Sequence, residues 1–490
     1  MVRALIVSLK SFDVMKKSRR RHPDFRSRVL LSLSGMDNSA DYFLLRHAFE
    51  NVFVDGSTGS GKTSGSGFAF SSALMNAQGL SPEEKVGMIV FFYKRGDAED
   101  WLRLAFAHHR ENDIIHIQEN HADVFNLLEP YQNQEPTNAV NALMNISRLS
   151  LTGGERQQGE AFWEVEQQKR LDRLIRLSQL AGHPLSVELL YQIHISAPND
   201  PEQLHDKEFC NQSLCWQLLA EAAERVGEND PSFQRVEDYF IREMPFLADR
   251  TASSIRAMVS GILEPFISSD LLRRLFCGGS SLSLDLAFSG KIILLDIPVQ
   301  THGHAGRIAQ IMFKYAFQKA VEQRDLSTHP NPLIFWQDEA QVFLTPHDHG
   351  FMSTCRSSRA GSVLMTQNIS NFYTALGGGP QAEAKVNSLL ALCNTKVFHA
   401  NNDHVTNEWA AKTIGNGIVN LQSVSVGDNN GSASSSQHMQ YLVEPREFTM
   451  LRTGGLENQY LVDAVITGTG RRFSTGSNFL RTAFQQPFAR

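Results

Sequence analysis

Cysteine is scarce in this 490-residue chain: there are five, scattered at Cys210, Cys215, Cys277, Cys355 and Cys393. That excludes a disulfide scaffold and suits a reducing cytoplasm. His205, Cys210 and Cys215 lie close together but lack a fourth ligand at zinc-like spacing. Long apolar runs are also missing. The longest, Ala4 to Leu9 and Val86 to Tyr93, fall far short of the roughly 20 residues that cross a bilayer, and no signal-peptide pattern is present. The charge is not strongly one-sided. A net charge of −6 excludes non-specific nucleic-acid binding by the whole surface, though not a basic stripe on one face. Hydrophobic residues at 42% and charged residues at 20% describe an ordinary globular protein long enough for two or three domains.

The first twenty-eight residues carry Lys16-Lys17-Ser18-Arg19-Arg20-Arg21-His22, then Arg26 and Arg28. They read as a basic arm, either solvated or touching a phosphate backbone or anionic lipid. Beyond it, short Val-, Ile-, Leu- and Phe-rich runs recur: 29–33, 52–54, 86–93, 113–117, 291–299, 332–337, 362–366, 395–399 and 461–466. Continuous rather than alternating apolarity predicts strands covered on both faces, hence a mainly parallel sheet flanked by helices. Between 155 and 265 the rhythm gives way to helical patterns at 160–180, 185–193, 214–226 and 252–266. In the first of these, Phe162, Trp163, Val165, Leu171, Leu174, Ile175 and Leu177 approximate one helical face. The expected organisation is an α/β nucleotide-binding domain over 29–154 and 266–490, with an all-α insertion at 155–265. Gly427 to Ser436 reads as a flexible loop.

Gly56-Ser57-Thr58-Gly59-Ser60-Gly61-Lys62-Thr63 fits the phosphate-binding loop G-x-x-x-x-G-K-[ST] at every fixed position. It follows the apolar run Val52-Phe53-Val54, and from Ser64 the chain can continue as a helix. In such a loop, glycines let consecutive N–H groups and the helix N-terminus face a polyphosphate. Lys62 then meets the β- and γ-phosphates and the Thr63 hydroxyl a Mg²⁺ ion, so ATP and Mg²⁺ are the expected cofactors. Leu333 to Gln337 forms an apolar strand ending in Asp338-Glu339. Asp338 is assigned to the metal and Glu339 to the general base that polarises the attacking water. Gln367, at the end of Val363-Leu364-Met365-Thr366, reads as a γ-phosphate or water sensor or as a loop cap. Arg356 and Arg359, placed on a helix before that strand, are alternative charge-stabilising fingers for a neighbouring subunit's nucleotide. Asp296 is a weaker alternative acid, because Pro298 follows it and no second carboxylate does.

With these motifs in place the chain resembles the coupling ATPases of type IV secretion and conjugative DNA transfer. Phe92-Tyr93-Lys94-Arg95-Gly96-Asp97, Val124-Phe125-Asn126-Leu127-Leu128, Phe162-Trp163, Asp338-Glu339-Ala340-Gln341 and Thr366-Gln367-Asn368 stand in that family's order. Asn394, Lys396, Asn401-Asn402-Asp403, a Ser-rich hairpin and Leu442 to Phe448 continue it. The resemblance implies a RecA-like core, a homo-hexameric ring, ATP-driven movement of single- or double-stranded DNA, and a helical insertion facing substrate or adaptor. A relaxase or secretion-channel component would be a partner. The family's N-terminal transmembrane hairpin and acidic C-terminal tail have no counterpart here. The expectation is therefore a cytoplasmic branch whose membrane contact, where it has one, comes from another subunit. The alternative function is a docking platform whose nucleotide state controls assembly with a relaxase, effector or nuclease.

Overall fold

In the strand Val52–Asp55 every residue is buried, and the same holds for Gly87–Phe91 and Leu333–Gln337. Side chains of one strand alternate between two hydrophobic layers, with Phe53 on one side of the sheet and Val52 and Val54 on the other. This two-sided burial is what the continuous apolar runs require. The computed structural model describes residues 27–35, 40–120, 124–150, 160–426 and 431–487, with side chains described except at 146–150, 160–161, 419–426 and 431–435. The Lys16 to His22 run of the expected arm lies outside the described residues.

Strands are numbered along the chain: β1 Val29–Ser34, β2 Ala40–Leu44, β3 Val52–Asp55, β4 Gly87–Phe91, β5 Ile114–Gln118, β6 Ile292–Asp296, β7 Leu333–Gln337, β8 Ala360–Thr366, β9 Thr395–Phe398, β10 Asn416–Val426, β11 Gly431–Tyr441, β12 Leu461–Gly468 and β13 Phe479–Gln485. Nine of them form one sheet in the order β13-β12-β9-β3-β8-β7-β4-β6-β5. From β9 to β5 every neighbouring pair is parallel. The expected mainly parallel α/β sheet is therefore present, with β3 between β8 and β9. In such sheets ligands bind at the carboxyl ends of the strands, which places the loops after β9, β3, β8 and β7 side by side.

Three details differ from the sequence reading. β1 leaves the main sheet and pairs antiparallel with β2. The run at 461–466 is antiparallel, joined to β9 and to the unforeseen β13. The stretch read as a loop at 427–436 is in part strand: 431–436 belong to β11, which pairs with β10 over eleven-residue strands.

Between β5 and β6 the described chain has no strand. Its helices run from Pro136–Ser150 through Glu160–Ala181, Val187–Ser196, Leu214–Val226 and Asp249–Ser268 to Asp270–Phe276, reaching beyond 155–265 on both sides. Leu171, Leu174, Ile175 and Leu177 are fully buried, whereas Phe162 and Val165 are 52% and 58% exposed. The apolar face of that helix thus begins only at its fourth turn. No helix among the described residues is long and apolar enough to cross a membrane.

Candidate nucleotide site

The loop after β3 is shaped by glycine where other residues are excluded. Gly59 and Gly61 have φ of +79° and +82°, the left-handed region that side chains with a Cβ avoid. A Cβ on Gly61 would lie 2.6 Å from the Val462 side chain, and one on Gly56 2.4 Å from Ser60 Oγ. The helix expected after the loop is present as one π-helical turn, Thr63–Gly67, continuing into Phe68–Met75. The loop is braced from β9, because Ser57 N–H donates to Ala400 O at 2.9 Å and Ser57 Oγ lies 2.8 Å from Asn402 Oδ1. Asn401 Nδ2 donates to Gln367 O at 2.8 Å and to Asp55 Oδ2 at 3.3 Å.

Beneath the loop, burial pushes the Asp55 carboxyl well above the usual carboxylate range. Its Oδ1 has no hydrogen-bond partner. His399 is fully buried, with Nδ1 2.8 Å from Asp463 O and Nε2 2.6 Å from Ser66 Oγ. A carbonyl accepts only, so Nδ1 carries the hydrogen and Nε2 accepts from Ser66. Burial lowers this imidazole to about 4, keeping it neutral.

The predicted acids arrive from β7. Thr63 Oγ1 donates to Asp338 Oδ2 at 3.3 Å. Two oxygens at that separation approach the roughly 3 Å between adjacent ligands of an octahedral ion with 2.0–2.1 Å bonds. With the glycine cradle beside them, these residues fit a Mg²⁺–nucleotide. Glu339 has φ 52° and ψ 48°, a left-handed conformation uncommon for a residue with a long side chain, and is 4% exposed.

Both Glu339 oxygens are engaged. Gln367 Nε2 donates to Oε1 at 2.8 Å, and Gln341 Nε2 to Oε2 at 2.9 Å. Gln367 Oε1 in turn accepts from Thr58 Oγ1 at 3.0 Å, and Gln341 Oε1 from Thr366 Oγ1 at 2.9 Å. The chain Thr58–Gln367–Glu339 thus runs from the phosphate loop to the acid through side chains alone. Gln367 joins the site instead of only capping its loop. Gln341, Asn401 and Asn402 were given no role from sequence. An amide two residues past an acid pair at a strand end was the available signal for Gln341.

β7 itself is held from below. The fully buried Lys314 donates to Gln337 Oε1 at 3.4 Å, to Asp348 Oδ2 at 2.7 Å and to Phe343 O.

The arginines lie elsewhere. They precede β8, about 25 Å along that strand from Gln367, and are not on a regular α-helix. Arg356 sits in the 3₁₀ turn Cys355–Ser358 and Arg359 follows it with φ 53°. Arg359 donates to Pro330 O at 3.0 Å, while the mostly exposed Arg356 pairs with Glu50 at 3.2 Å. Neither reaches this chain's own phosphate loop. Asp296 is held by His116 at 2.8 Å and Gln118 at 3.0 Å, two strands beyond β7.

Residues 332–453 match the family described as the TraM recognition site of TraD and TraG. No curated protein sequence matches the chain. The solved structure of the bacterial conjugative coupling protein TrwBdeltaN70 in an unbound form is similar, with TM-score 0.59 and 13% identity over 98% of this chain and 93% of that one. Plasmid coupling protein TrwB in complex with ADP and Mg²⁺ gives 0.61 and 12%, over 98% and 92%. Its complex with the GTP analogue GDPNP gives 0.59 and 12%, over 98% and 94%. The fold is that of these coupling proteins. In fold and in its 332–453 segment the chain resembles the type IV coupling ATPases.

Proposed function

We propose that this chain is an ATP-hydrolysing motor of the coupling-protein type, acting on DNA as a ring of identical subunits. The observation that carries the reading is the Thr58–Gln367–Glu339 hydrogen-bond chain beside the Thr63–Asp338 contact. It joins the phosphate loop to a buried carboxylate through a side chain able to register a γ-phosphate. In this reading Gly56 to Ser64 cradle the phosphates through backbone N–H groups, and Lys62 neutralises their charge. Thr63 and Asp338 hold Mg²⁺, whose charge stabilises the phosphates during transfer. Glu339 takes the proton of the attacking water. Each of its oxygens accepts one amide hydrogen and keeps a lone pair for that proton, and the two amides fix how the carboxylate faces the water. An arginine acting in trans would come from the far edge of a neighbouring copy, where the exposed Arg356 is more available than Arg359.

The 332–453 match supports a second reading, in which the same chain is a docking platform for a protein partner and hydrolyses ATP slowly. The likeness to the DNA-transfer family favours the motor. The Glu339→Gln protein tests the site: it is expected to bind ATP and hold it unhydrolysed. Full turnover by that variant would remove the base assignment.

A further inference from the structure

The γ-phosphate flank of the loop is occupied by Gln367 and Glu339. The opposite flank begins at Ser64, because the N–H groups that follow the lysine face the β- and α-phosphates and the nucleoside leaves beyond them. On that flank stand a second loop, Thr453 to Tyr460, and the end of β13. Gln486 Nε2 donates to Ser64 Oγ at 2.6 Å, and its Oε1 accepts from Gly455 N–H at 2.8 Å. The same amide spans both elements.

The second loop is tightly built. Gly454, Gly455, Gln459 and Tyr460 all have positive φ, between 56° and 84°. A Cβ on Gly454 would lie 2.4 Å from the Gln486 amide oxygen, and the Cβ that Gly61 lacks would lie 3.0 Å from Thr453 O. At its start Arg452 grips Asp463 through Nε and Nη2 at 3.0 and 2.7 Å. At its end Tyr460 O accepts from Gln486 N–H at 2.8 Å. Between these anchors Leu456 stands 78% exposed, an aliphatic side chain held out from a fixed backbone beside the phosphate loop.

We infer that Thr453 to Tyr460 with Gln486 forms the nucleoside subsite of this ATPase. Leu456 packs on a face of the base, and the Gln486 amide exchanges Ser64 for a polar edge of the ribose or base. The contacts are one apolar face and one two-way amide, which favour a nucleoside over bare phosphate and carry no base-specific pattern. This rests on the phosphate-loop reading above and goes beyond it in assigning the half of the ligand that the sequence motif does not address.

The test compares binding of ATP and of inorganic tripolyphosphate, each with Mg²⁺, by calorimetry on the full chain. The wild-type protein is expected to prefer ATP. Leu456→Ser and Gln486→Leu should each weaken ATP by about 5–10-fold, as loss of one apolar or one amide contact implies, and leave tripolyphosphate unchanged. Lys62→Ala should lose both ligands. If ATP and tripolyphosphate bind the wild type equally, or the variants weaken both alike, the subsite is refuted while the phosphate loop stands. If Leu456→Ser changes subunit association and not the ATP preference, Leu456 belongs to an interface and the inference also fails. Binding of neither ligand by the wild type would instead overturn the phosphate-loop reading itself.

Discussion

Gln367 donates to Glu339 at 2.8 Å while accepting from Thr58 of the phosphate loop at 3.0 Å, so a change at the loop is felt at the acid through one side chain. Replacing Gln367 by Ala breaks this link, freeing the Thr58 hydroxyl and leaving the backbone N–H groups of the phosphate cradle in place. Turnover is expected to fall by about 10–100-fold with ATP affinity little changed. Steady-state hydrolysis alongside equilibrium binding of ATP checks it, and an unchanged kcat would show that the link plays no part.

Gln341 is a positioning residue, since it touches Glu339 Oε2 and Thr366 and no phosphate-loop atom. Gln341→Ala leaves Glu339 held by Gln367 alone. The expected result is kcat lowered by about tenfold at unchanged KM, with partial rescue by Asn. A parallel loss of thermal stability and KM would mark the residue as structural.

The neutral, buried His399 makes the site acid-sensitive. Its folded pKa, about 4, lies below the ordinary 6.5, so below 6.5 the unfolded chain takes up a proton that the folded chain refuses. Stability is therefore full above about 6.5 and is lost as pH falls toward 4, by up to about 3 kcal/mol for this one group. His47 and His194, lowered by burial to about 3, act in the same direction. Urea unfolding of wild type and His399→Asn between pH 7 and pH 5 should show a shallower pH slope in the variant. Equal slopes would contradict the assignment.

Much of this site was legible because the chemistry is local in sequence. The loop Gly56 to Thr63 and the pair Asp338-Glu339 each fall within a few residues of an apolar strand, and two-sided burial made those strands visible. β13 was missed because Phe479–Gln485 alternates, with only Leu480, Thr482 and Phe484 buried, as expected of an edge strand. The β10–β11 hairpin was named only through the family resemblance, because the Gly-, Ser- and Asn-rich stretch 427–436 by itself reads as a loop. Asn401 and Gln486 lie 345 and 430 positions from the loop's first glycine, and no periodicity connects partners at such separation. Phe162 and Val165 fit a helical stripe but stand outside the packed part of their helix.

The buried Lys314 and Asp348 form an ion pair under the strand that carries the acids. Lys314→Met leaves Asp348 buried without its cation and should cost about 3–5 kcal/mol. Lys314→Met with Asp348→Leu should recover part of that loss. Denaturant midpoints of the two proteins decide it; equal stability of the single and double variants would mean the charge pairing is unimportant.

In the proposed function, nucleotide hydrolysis serves movement on DNA. The most direct measurement is ATP hydrolysis by the purified chain alone, with single-stranded DNA and with double-stranded DNA, using Lys62→Ala as the blank. Turnover is expected to rise with at least one form of DNA and to be abolished in the variant. Slow hydrolysis that no DNA alters would contradict the motor and leave the docking platform.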